Sequence, residues 1–257
     1  MPANLMPKSR VPLLSVVVPA YNEEKRIGRC ASRVTAYFRK NIRSFELIMV
    51  NDGSRDGTGR EALKAARLHR EVRLVSYPGN RGKGHALRRG ILASRGTRVL
   101  FMDADLSTDP GEWPKLARLL DRGADLAIGS RKTAGARLVK RQPRWRESMG
   151  KVFTWLVRRM LVDVTDVTCG FKAFRGTVAR ELFARQVLDD WSFDAEVLYM
   201  ARQAGFRIME APVVWKNNPD SKVRIVGATL SALAGIFKVR WNHLTGRYGR
   251  LSDLHRG

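Results

Sequence analysis

The fold is indicated most directly by the stretch Leu100-Phe101-Met102-Asp103-Ala104-Asp105, in which a short apolar run ends on two carboxylates. Val99 to Met102 carries β-branched and aromatic side chains, which favours a buried strand. Alternate residues at the end of a strand point the same way, so Asp103 and Asp105 can face one point outside the sheet. Open α/β sheets bind their ligands at that edge. The stretch therefore predicts a ligand site at the carboxyl end of a central strand.

The two carboxylates are candidate ligands for a divalent metal ion. They are too few to enclose Ca²⁺, but they suit Mg²⁺ or Mn²⁺, which keeps water ligands and shares a substrate diphosphate. We therefore expect Mg²⁺ or Mn²⁺ as the cofactor, held by Asp105 and Asp103. An alternative stays open, since Asp-x-Asp after an apolar run also arises by chance. In that case Asp105 would only stabilise a turn or cap a helix.

Strands and helices are predicted to alternate on both sides of this stretch. The predicted strands are Leu13–Val18, Phe45–Val50, Val72–Tyr77, Val99–Met102 and Ala124–Gly129. Helices are predicted between them, the first capped by Asn22, the second opened by Asp56, and the fourth introduced by Asp109-Pro110. This alternation predicts a mostly parallel sheet covered on both faces, and therefore an α/β fold of nucleotide-binding type.

The second half carries two predicted basic amphipathic helices. The first runs from about Trp145 to Val162, with its apolar side chains in one stripe. The second places apolar residues at helical spacing: Val226, Leu230, Leu233, Phe237 and Trp241. Each helix could pack on the core or lie in a membrane interface. Between them, Asp194 and Glu196 open a further predicted helix, where they could serve only its dipole.

Composition and charge bound the partners of the protein. The 257 residues include 48 Lys and Arg against 24 Asp and Glu, which gives a net charge of +24. Such a charge points to nucleic acid, an anionic membrane face or an anionic substrate. The two cysteines do not make a disulfide framework or a metal cluster. With no apolar run long enough to span a bilayer, we expect a cytoplasmic protein, peripheral on the cytoplasmic face of a membrane.

Three familiar ligand motifs are excluded by single residues. Gly82-Lys83-Gly84 is not followed by the Ser or Thr of a P-loop, and Leu87 stands where a dinucleotide fingerprint needs its third glycine. The segment from Asp52 resembles an EF-hand loop, but Leu63 stands at its twelfth position instead of Glu. The glycines could simply shape a turn. Lys83 remains of interest, because a loop that opens a helix can bring it and backbone N–H groups to a phosphate.

Taken in order, these segments resemble family-2 glycosyltransferases of the GT-A fold, and more closely the polyprenyl- and dolichyl-phosphate glucosyltransferases. The family resemblance rests on residues 18–24, on Asn51-Asp52-Gly53-Ser54 with Asp56-Gly57-Thr58, and on the Asp103-x-Asp105 pair. The closer resemblance rests on residues 103–108, Gly129-Ser-Arg131, Cys169-Gly-Phe-Lys-Ala-Phe174, Phe193-Asp194-x-Glu196, Pro212-Val-x-Trp215 and Ser221-Lys222. It implies a Rossmann-like nucleotide-binding half with a mixed, mostly parallel sheet, plus basic amphipathic interface helices. We expect a lead-in over residues 1–11, the GT-A domain over 12–224 and a C-terminal amphipathic helix and tail over 225–257.

The resemblance also implies roles for individual residues. The nucleotide would be bound by Pro19, Ala20, Tyr21, Glu23, Asp52, Gly53, Lys83, Asp103 and Ala104. Within this set, Asp52 would bind the uracil and Lys83 would lie near the ribose or the diphosphate. The acceptor phosphate would meet Arg131, Arg137, Arg141, Ser148 and Lys222. Asp103, Asp105 and Asp194 would act at the reaction centre, with Asp194 orienting the sugar or the acceptor.

The implied reaction moves glucose from UDP-glucose to a polyprenyl phosphate with inversion. A phosphate monoester has a second pKa of about 6, so the acceptor oxygen is already an anion near neutral pH and needs no strong base. Arginine can bring that anion to the donor through bidentate, charge-assisted bonds. A second possibility within the family is a GDP-mannose-dependent polyprenyl-phosphate mannosyltransferase or a transferase of another sugar.

Two other classes of protein fit the sequence less well. Asp103-x-Asp105-x-Ser107 is similar to the nucleophile loop of haloacid dehalogenase-like phosphohydrolases, but that loop normally follows the first strand and not the fourth. A nucleic-acid-binding protein would explain the positive charge. No RNP motif, zinc finger or clear recognition helix is present, so we expect no nucleic-acid partner.

Overall fold

Strands and helices alternate along the first 130 residues, as the sequence predicts. The computed structural model describes residues 11–140, 154–216 and 225–255. Its strands are β1 (Leu14–Ala20), β2 (Phe45–Asp52), β3 (Val72–Tyr77), β4 (Arg98–Met102), β5 (Leu126–Ser130), β6 (Arg137–Lys140), β7 (Phe171–Arg175), β8 (Ile208–Pro212) and β9 (Val214–Lys216). Its helices are α1 (Glu24–Asn41), α2 (Thr58–Leu68), α3 (Lys83–Leu92), α4 (Trp113–Asp121), α5 (154–160), α6 (Gly176–Arg185), α7 (Phe193–Gln203) and α8 (Ile225–Leu244). Short 3₁₀ turns cover Pro110–Glu112 and Leu251–His255.

Seven strands form one mixed sheet in the order β3-β2-β1-β4-β7-β5-β8. All neighbouring pairs are parallel except those of β7, which runs antiparallel to both β4 and β5. In that register Met102 pairs with Phe171, so the chain just before β7 lies beside the carboxyl end of β4. A second, two-stranded sheet pairs β6 with β9 in parallel. The α/β class and the mixed, mostly parallel sheet are therefore confirmed.

Helices cover both faces of the large sheet, because its central strands are apolar on both sides. One buried layer joins β1, β2 and β4 to α1 and α4, through residues such as Val34, Phe38 and Leu116. The other joins the opposite face to α3, α6 and α7, with Phe101, Phe174 and others packed together. The carboxyl ends of β1, β2 and β4 meet at one edge, where the predicted site lies.

The first helices begin later than the sequence predicts. β1 also continues to Ala20, two residues beyond the predicted end at Val18. Asn22 does not cap α1: it has φ +54°, and its side-chain oxygen accepts from the N–H of Arg55 instead. Asp56 precedes α2 rather than opening it, and its carboxylate accepts from the N–H of Thr58. Both side chains also join the loop after β1 to the loop after β2, because the Asp56 carboxylate accepts from the N–H of Glu24 as well.

The Asp109-Pro110 cap is confirmed, since the Asp109 carboxylate accepts from the N–H of Gly111 at the start of the 3₁₀ turn.

The two predicted basic helices are only partly described. Of the first, residues 145–153 lie outside the described residues. In α5 and just beyond it, Val157 and Leu161 are fully buried, which supports packing on the core, whereas Trp155 is exposed. In α8, Ile236 and Val239 face the core, and Phe237 and Trp241 face outward. Among the described helices, none combines the length and the apolar character needed to cross a bilayer. The boundary expected at residue 225 stays a prediction.

Candidate active site

Asp103 and Asp105 follow β4 at the carboxyl edge of the sheet, where the sequence places them. The turn that carries them is tight: Leu106 has φ +57°, and the Asp105 carboxylate accepts from the N–H of Ser107 at 2.9 Å. Gly170, just before β7, lies against the Asp103 carboxylate, and a Cβ on Gly170 would fall 1.9 Å from its Oδ2. A left-handed leucine is uncommon and costs free energy, so the surrounding structure holds this turn in place.

Lys83 is brought to Asp103 by the start of α3. Its Nζ lies 2.6 Å from Asp103 Oδ1, and the same ammonium lies 5.1 Å from the ring centre of Trp191. Burial lowers the pKa of Lys83, but the charges of Asp103 and Asp194 outweigh it and raise that pKa overall. Lys83 is therefore a fixed positive charge beside the carboxylates. Trp191, which is 44% exposed, forms an aromatic wall at this point.

Asp52 is fully engaged by its own chain. Its carboxylate accepts from the Tyr77 hydroxyl, the Asn80 amide and the backbone N–H groups of Arg81 and Gly82, at 2.8 to 2.9 Å. Four donors match the lone-pair sites of a carboxylate. In this structure Asp52 therefore holds the 78–82 loop against the end of β2. The role implied for it in binding uracil stays a prediction.

Two glycines make the close approach of these loops possible. Gly53 has φ +58°, and a Cβ there would fall 2.2 Å from the backbone of Gly79. The interpretation that the glycines shape a turn is therefore correct at Gly53, because a side chain does not fit there.

Two N–H groups at the start of α3 are bonded within the protein itself. Both Gly84 and His85 donate their backbone N–H to the carbonyl oxygen of Asp189, at 2.9 and 3.3 Å. The segment before α7 thus caps α3, and any Cβ on Gly82 would strike the same carbonyl. The N–H groups of Gly84 and His85 are therefore not available to a phosphate, whereas the Lys83 side chain reaches the aspartates. Binding of a phosphate by Lys83 stays a prediction.

The remaining residues expected at the nucleotide lie around this edge. Pro19 and Ala20 end β1 beside Val50 and Asn51 of β2. Tyr21 is 39% exposed, whereas Ala104 is buried between the two aspartates.

The start of α1 is tied to the α2 loop through the N–H of Glu23, which donates to the Thr58 hydroxyl at 2.7 Å. The Glu23 carboxylate pairs with Arg26 at 3.2 Å.

Asp194 lies at the start of α7 in a buried ion pair. The Nζ of Lys172, from β7, is 2.5 Å from Asp194 Oδ1 and also donates to the carbonyl of Cys169 at 2.8 Å. Both side chains are almost inaccessible to solvent, and burial raises the pKa of Asp194 while the two nearby lysines oppose that rise. The pair holds the chain before β7 to the start of α7. This geometry suits a positioning role better than that of a general base.

Arg131 follows β5 and is locked by Asp166. Its Nε and Nη2 each donate at 2.7 Å to the fully buried carboxylate, whose Oδ2 also accepts the Arg131 backbone N–H. Asp166 is itself held by Glu210, which accepts from its N–H at 3.1 Å. Burial raises the pKa of Asp166, but Arg131 outweighs that effect and lowers it. The two charges form one fixed unit.

Trp215 connects Arg131 to the aspartate turn. Its ring lies 5.4 Å from the Arg131 guanidinium carbon, and its backbone pairs with Thr108. The next residue, Lys216, donates its N–H to the carbonyl of Ser107. The arginine implied for the acceptor is therefore joined through β9 to the turn that carries Asp105.

The other basic residues expected at the acceptor are less informative. Arg137 is exposed on β6, and its N–H donates to the carbonyl of Val213. Arg141, Ser148 and Lys222 lie outside the described residues.

The aspartate pair fits a divalent metal ion. Burial and then the charge of Asp103 raise the pKa of Asp105, so two carboxylates compete here for positive charge. A cation between them would relieve that repulsion. The chain offers few ligands: no cluster of three or more His, Cys, Asp or Glu side chains suited to a metal occurs in residues 11–140, 154–216 and 225–255. Water and a diphosphate would have to complete the shell of Mg²⁺ or Mn²⁺.

Sequence reasoning assigned no role to Lys172, Asp166 or Glu210. Lys172 had a signal, since a lysine inside the otherwise apolar strand Phe171–Arg175 needs a buried partner. Asp166 and Glu210 had none, because the sequence does not show which arginine or which loop they meet.

Comparison with known proteins gives both sequence and fold relatives. A model of glycosyl transferase family 2 matches residues 15–183. A dolichyl-phosphate beta-glucosyltransferase of Drosophila melanogaster is 33% identical, over 95% of this chain and 78% of its own. One of Homo sapiens is 32% identical, over 91% and 77%. Glucosyl-3-phosphoglycerate synthase from Mycobacterium tuberculosis, solved in complex with Mn²⁺, UDP and glucosyl-3-phosphoglycerate, has a TM-score of 0.67 at 22% identity, over 89% of this chain and 80% of that one. The last similarity is one of fold.

Proposed function

The chain belongs to glycosyl transferase family 2 and is a glycosyltransferase, and from this premise we propose that it moves glucose from UDP-glucose to a polyprenyl phosphate such as dolichyl or undecaprenyl phosphate. Its relatives at 32 to 34% identity are named dolichyl-phosphate beta-glucosyltransferases, which supports both the sugar and the class of acceptor. The main support for this proposal comes from the structure. One turn holds Asp103 and Asp105, with Lys83 on one side and Arg131 joined to it by β9.

The donor side of the proposed site is built to receive a diphosphate. Lys83 supplies a permanent positive charge within reach of the aspartates, and its present partner Asp103 is only partly buried. Mg²⁺ or Mn²⁺, held by Asp105 and Asp103, would stabilise the negative charge that develops on the departing diphosphate. The Mn²⁺ and UDP in the complex of the mycobacterial synthase agree with that cofactor and donor. Trp191 would line the space beside the sugar.

The acceptor side is proposed to use Arg131. Asp166 occupies its Nε and Nη2, which fixes the plane of the guanidinium, and no hydrogen bond from Nη1 to another described residue is found. An acceptor phosphate would bind at Nη1. The phosphate oxygen is already ionised, so the enzyme needs a clamp rather than a base, and inversion follows from attack opposite the leaving diphosphate. Asp194, fixed by Lys172, would position the sugar or the acceptor.

Because the proposed acceptor is a membrane lipid, we propose that the protein works as a peripheral protein on the cytoplasmic face of a membrane. Its strong positive charge supports an anionic membrane surface.

Substitution of Asp105 tests this site directly. In Asp105→Asn the carboxylate charge is lost while the side chain keeps its shape, so we expect transfer to fall by about three orders of magnitude with little change in folding. Purified protein would be assayed with radiolabelled UDP-glucose, a polyprenyl phosphate and Mg²⁺ or Mn²⁺. GDP-mannose as donor and 3-phosphoglycerate as acceptor separate the other activities of the family and of its fold relatives.

Asp163→Asn is the matched control, because Asp163 is an exposed aspartate outside the proposed site. It should keep wild-type activity. Full metal-dependent transfer by Asp105→Asn would refute the site, and turnover of GDP-mannose alone would refute the donor.

A further inference from the structure

The outward face of α8 carries an apolar stripe that the rest of the described chain leaves uncovered. Phe237, Trp241 and Leu244 are 66%, 64% and 75% exposed. They stand at i, i+4 and i+7, so they share one face of the helix. Phe237 and Trp241 belong to the stripe predicted from the sequence, yet the core takes the opposite face of the helix, through Ile236 and Val239. The exposed apolar side chains are therefore not a by-product of packing.

Basic side chains border this stripe on both sides. Lys238 and Arg240 line the same shallow depression as Phe237, Trp241 and Leu244. Further along, Arg247 and Arg250 are also exposed, and the single acidic residue in 234–255 is Asp253. Aromatic side chains flanked by lysine and arginine suit the boundary between lipid headgroups and acyl chains, where the long basic side chains reach back to phosphate.

We propose that this face of α8, defined by Phe237, Trp241 and Leu244 with Lys238 and Arg240, docks on a bilayer that contains anionic lipid. The charge of this face favours an anionic bilayer over a second copy of the chain as the partner. Pairing two such faces would oppose the same basic rows in a protein of net charge +24, and like charges across an interface are unfavourable. An anionic headgroup layer complements them instead.

The inner face of α8 connects the docking face to the catalytic site. A Cβ on Gly235 would fall 2.0 Å from the hydroxyl of Ser192, so α8 lies directly against the residue that follows Trp191. Below it, the Tyr248 hydroxyl donates to Glu196 of α7 at 2.8 Å. Only the thickness of a helix, about 10–12 Å, separates the docking face from the wall at Trp191. If the proposed lipid acceptor is correct, this places the site next to the membrane that supplies it.

Vesicle binding tests the docking face without any substrate. The probes are phosphatidylcholine vesicles with and without about 30% phosphatidylglycerol, used in flotation with the 257-residue chain. We expect Phe237→Ser/Trp241→Ser and Lys238→Glu/Arg240→Glu each to weaken binding to the anionic vesicles at least tenfold. For the basic pair, added salt should remove most of the difference from wild type.

Helix α2 offers matched controls, because it also exposes leucine and arginine. Leu63 and Leu68 are exposed but five positions apart, so they do not share a face, and Arg67 and Arg70 lie nearby. Leu63→Ser/Leu68→Ser and Arg67→Glu/Arg70→Glu should bind vesicles within about twofold of wild type. Equal losses in the α2 and α8 variants would mean that the protein binds membranes through its overall charge and exposed apolar side chains, and not through this face of α8.

The oligomeric state of the protein and its transfer activity toward two acceptors separate the remaining explanations. Unchanged vesicle binding by the α8 variants would overturn the proposal, as would a wild-type dimer that these variants dissociate. Transfer to a short, water-soluble isoprenyl phosphate should be unchanged in both α8 variants, whereas transfer to vesicle-embedded polyprenyl phosphate should fall at least tenfold. Loss of both activities would show that the face supports the site and not the membrane. If wild type transfers to neither acceptor, the proposed function fails while the vesicle result still stands.

Discussion

Two lysine–aspartate pairs flank the candidate site, and they differ in burial far more than in geometry. Lys83 lies 2.6 Å from Asp103, with 12% and 37% of the two side chains exposed. Lys172 lies 2.5 Å from Asp194, with 2% and 4% exposed. The first pair borders solvent, so a diphosphate or a metal ion can take either partner. The second is sealed between β7 and α7, where a lone charge would be costly. The same two residue types thus form a solvent-accessible pair in one place and a buried structural pair in the other.

Breaking the buried pair should have the largest effect on stability. Lys172→Met leaves the Asp194 carboxylate without its partner, so we expect the free energy of unfolding to fall by about 3–5 kcal/mol. Urea denaturation followed by circular dichroism measures it.

Removing both charges of that pair sharpens the comparison. Lys172→Met/Asp194→Leu replaces the pair with apolar side chains and should recover most of the lost stability. A double variant as unstable as the single one would show that Lys172 acts mainly through the Cys169 carbonyl.

Breaking the partly exposed pair should affect catalysis instead. Lys83→Met removes the charge proposed to meet the diphosphate, so we expect kcat/KM to fall about a hundredfold. Stability should change by only ~1 kcal/mol, because the Asp103 carboxylate that loses its partner is 37% exposed and can be solvated by water. Steady-state kinetics with the same denaturation assay checks both. A loss of stability as large as that of Lys172→Met would erase the distinction between the pairs.

Glu196 supplies a buried carboxylate on α7 with no ion pair among the described residues. Burial raises its pKa to about 7, although Leu188, Tyr248 and Val187 donate hydrogen bonds to it. The folded state therefore holds a proton that the unfolded state has released. As pH rises from about 4.5 to about 7, the free energy of unfolding should therefore fall by about 3 kcal/mol in total, since each pH unit between the two pKa values contributes about 1.4 kcal/mol.

The pH dependence is measured by comparing wild type with Glu196→Gln, which cannot ionise. The difference in unfolding free energy between them should shift across that pH range in favour of the variant and be constant above it. Parallel curves would mean that the hydrogen bonds keep Glu196 ionised.

The first four strands could be predicted because each is a short apolar run bounded by turn residues, and Val72–Tyr77 is correct to the residue. Helix starts were harder. Asn22 and Asp56 are good cap residues, but Asn22 accepts from the N–H of Arg55 and Asp56 from the N–H of Glu24, and no local pattern shows these bonds between two loops. The apolar stripe of α8 was also visible in the sequence. Which face of that helix the core would take was not, because both faces are apolar.

The residues of the candidate site also divide into those that the sequence predicts and those that only the structure shows. Asp103 and Asp105 were identifiable because they end a strand, and Lys83 because it opens a helix. The partners of Arg131 and Asp194 come from residues 35 and 22 positions away. Pairing over such separations depends on how β7 inserts into the sheet. The role of Asp52 as an anchor for the 78–82 loop required the same kind of knowledge.

Strand β7 also governs when the sheet can be completed during synthesis. It fills the gap between β4 and β5, yet it is made roughly 70 residues after β4, which at ribosomal speed is several seconds. Throughout that interval one edge of β4 has no neighbour, and an unpaired apolar edge invites pairing with another nascent chain. The strand that places Lys172 and Gly170 in the site is thus also the one whose delayed arrival leaves the growing protein most exposed to aggregation.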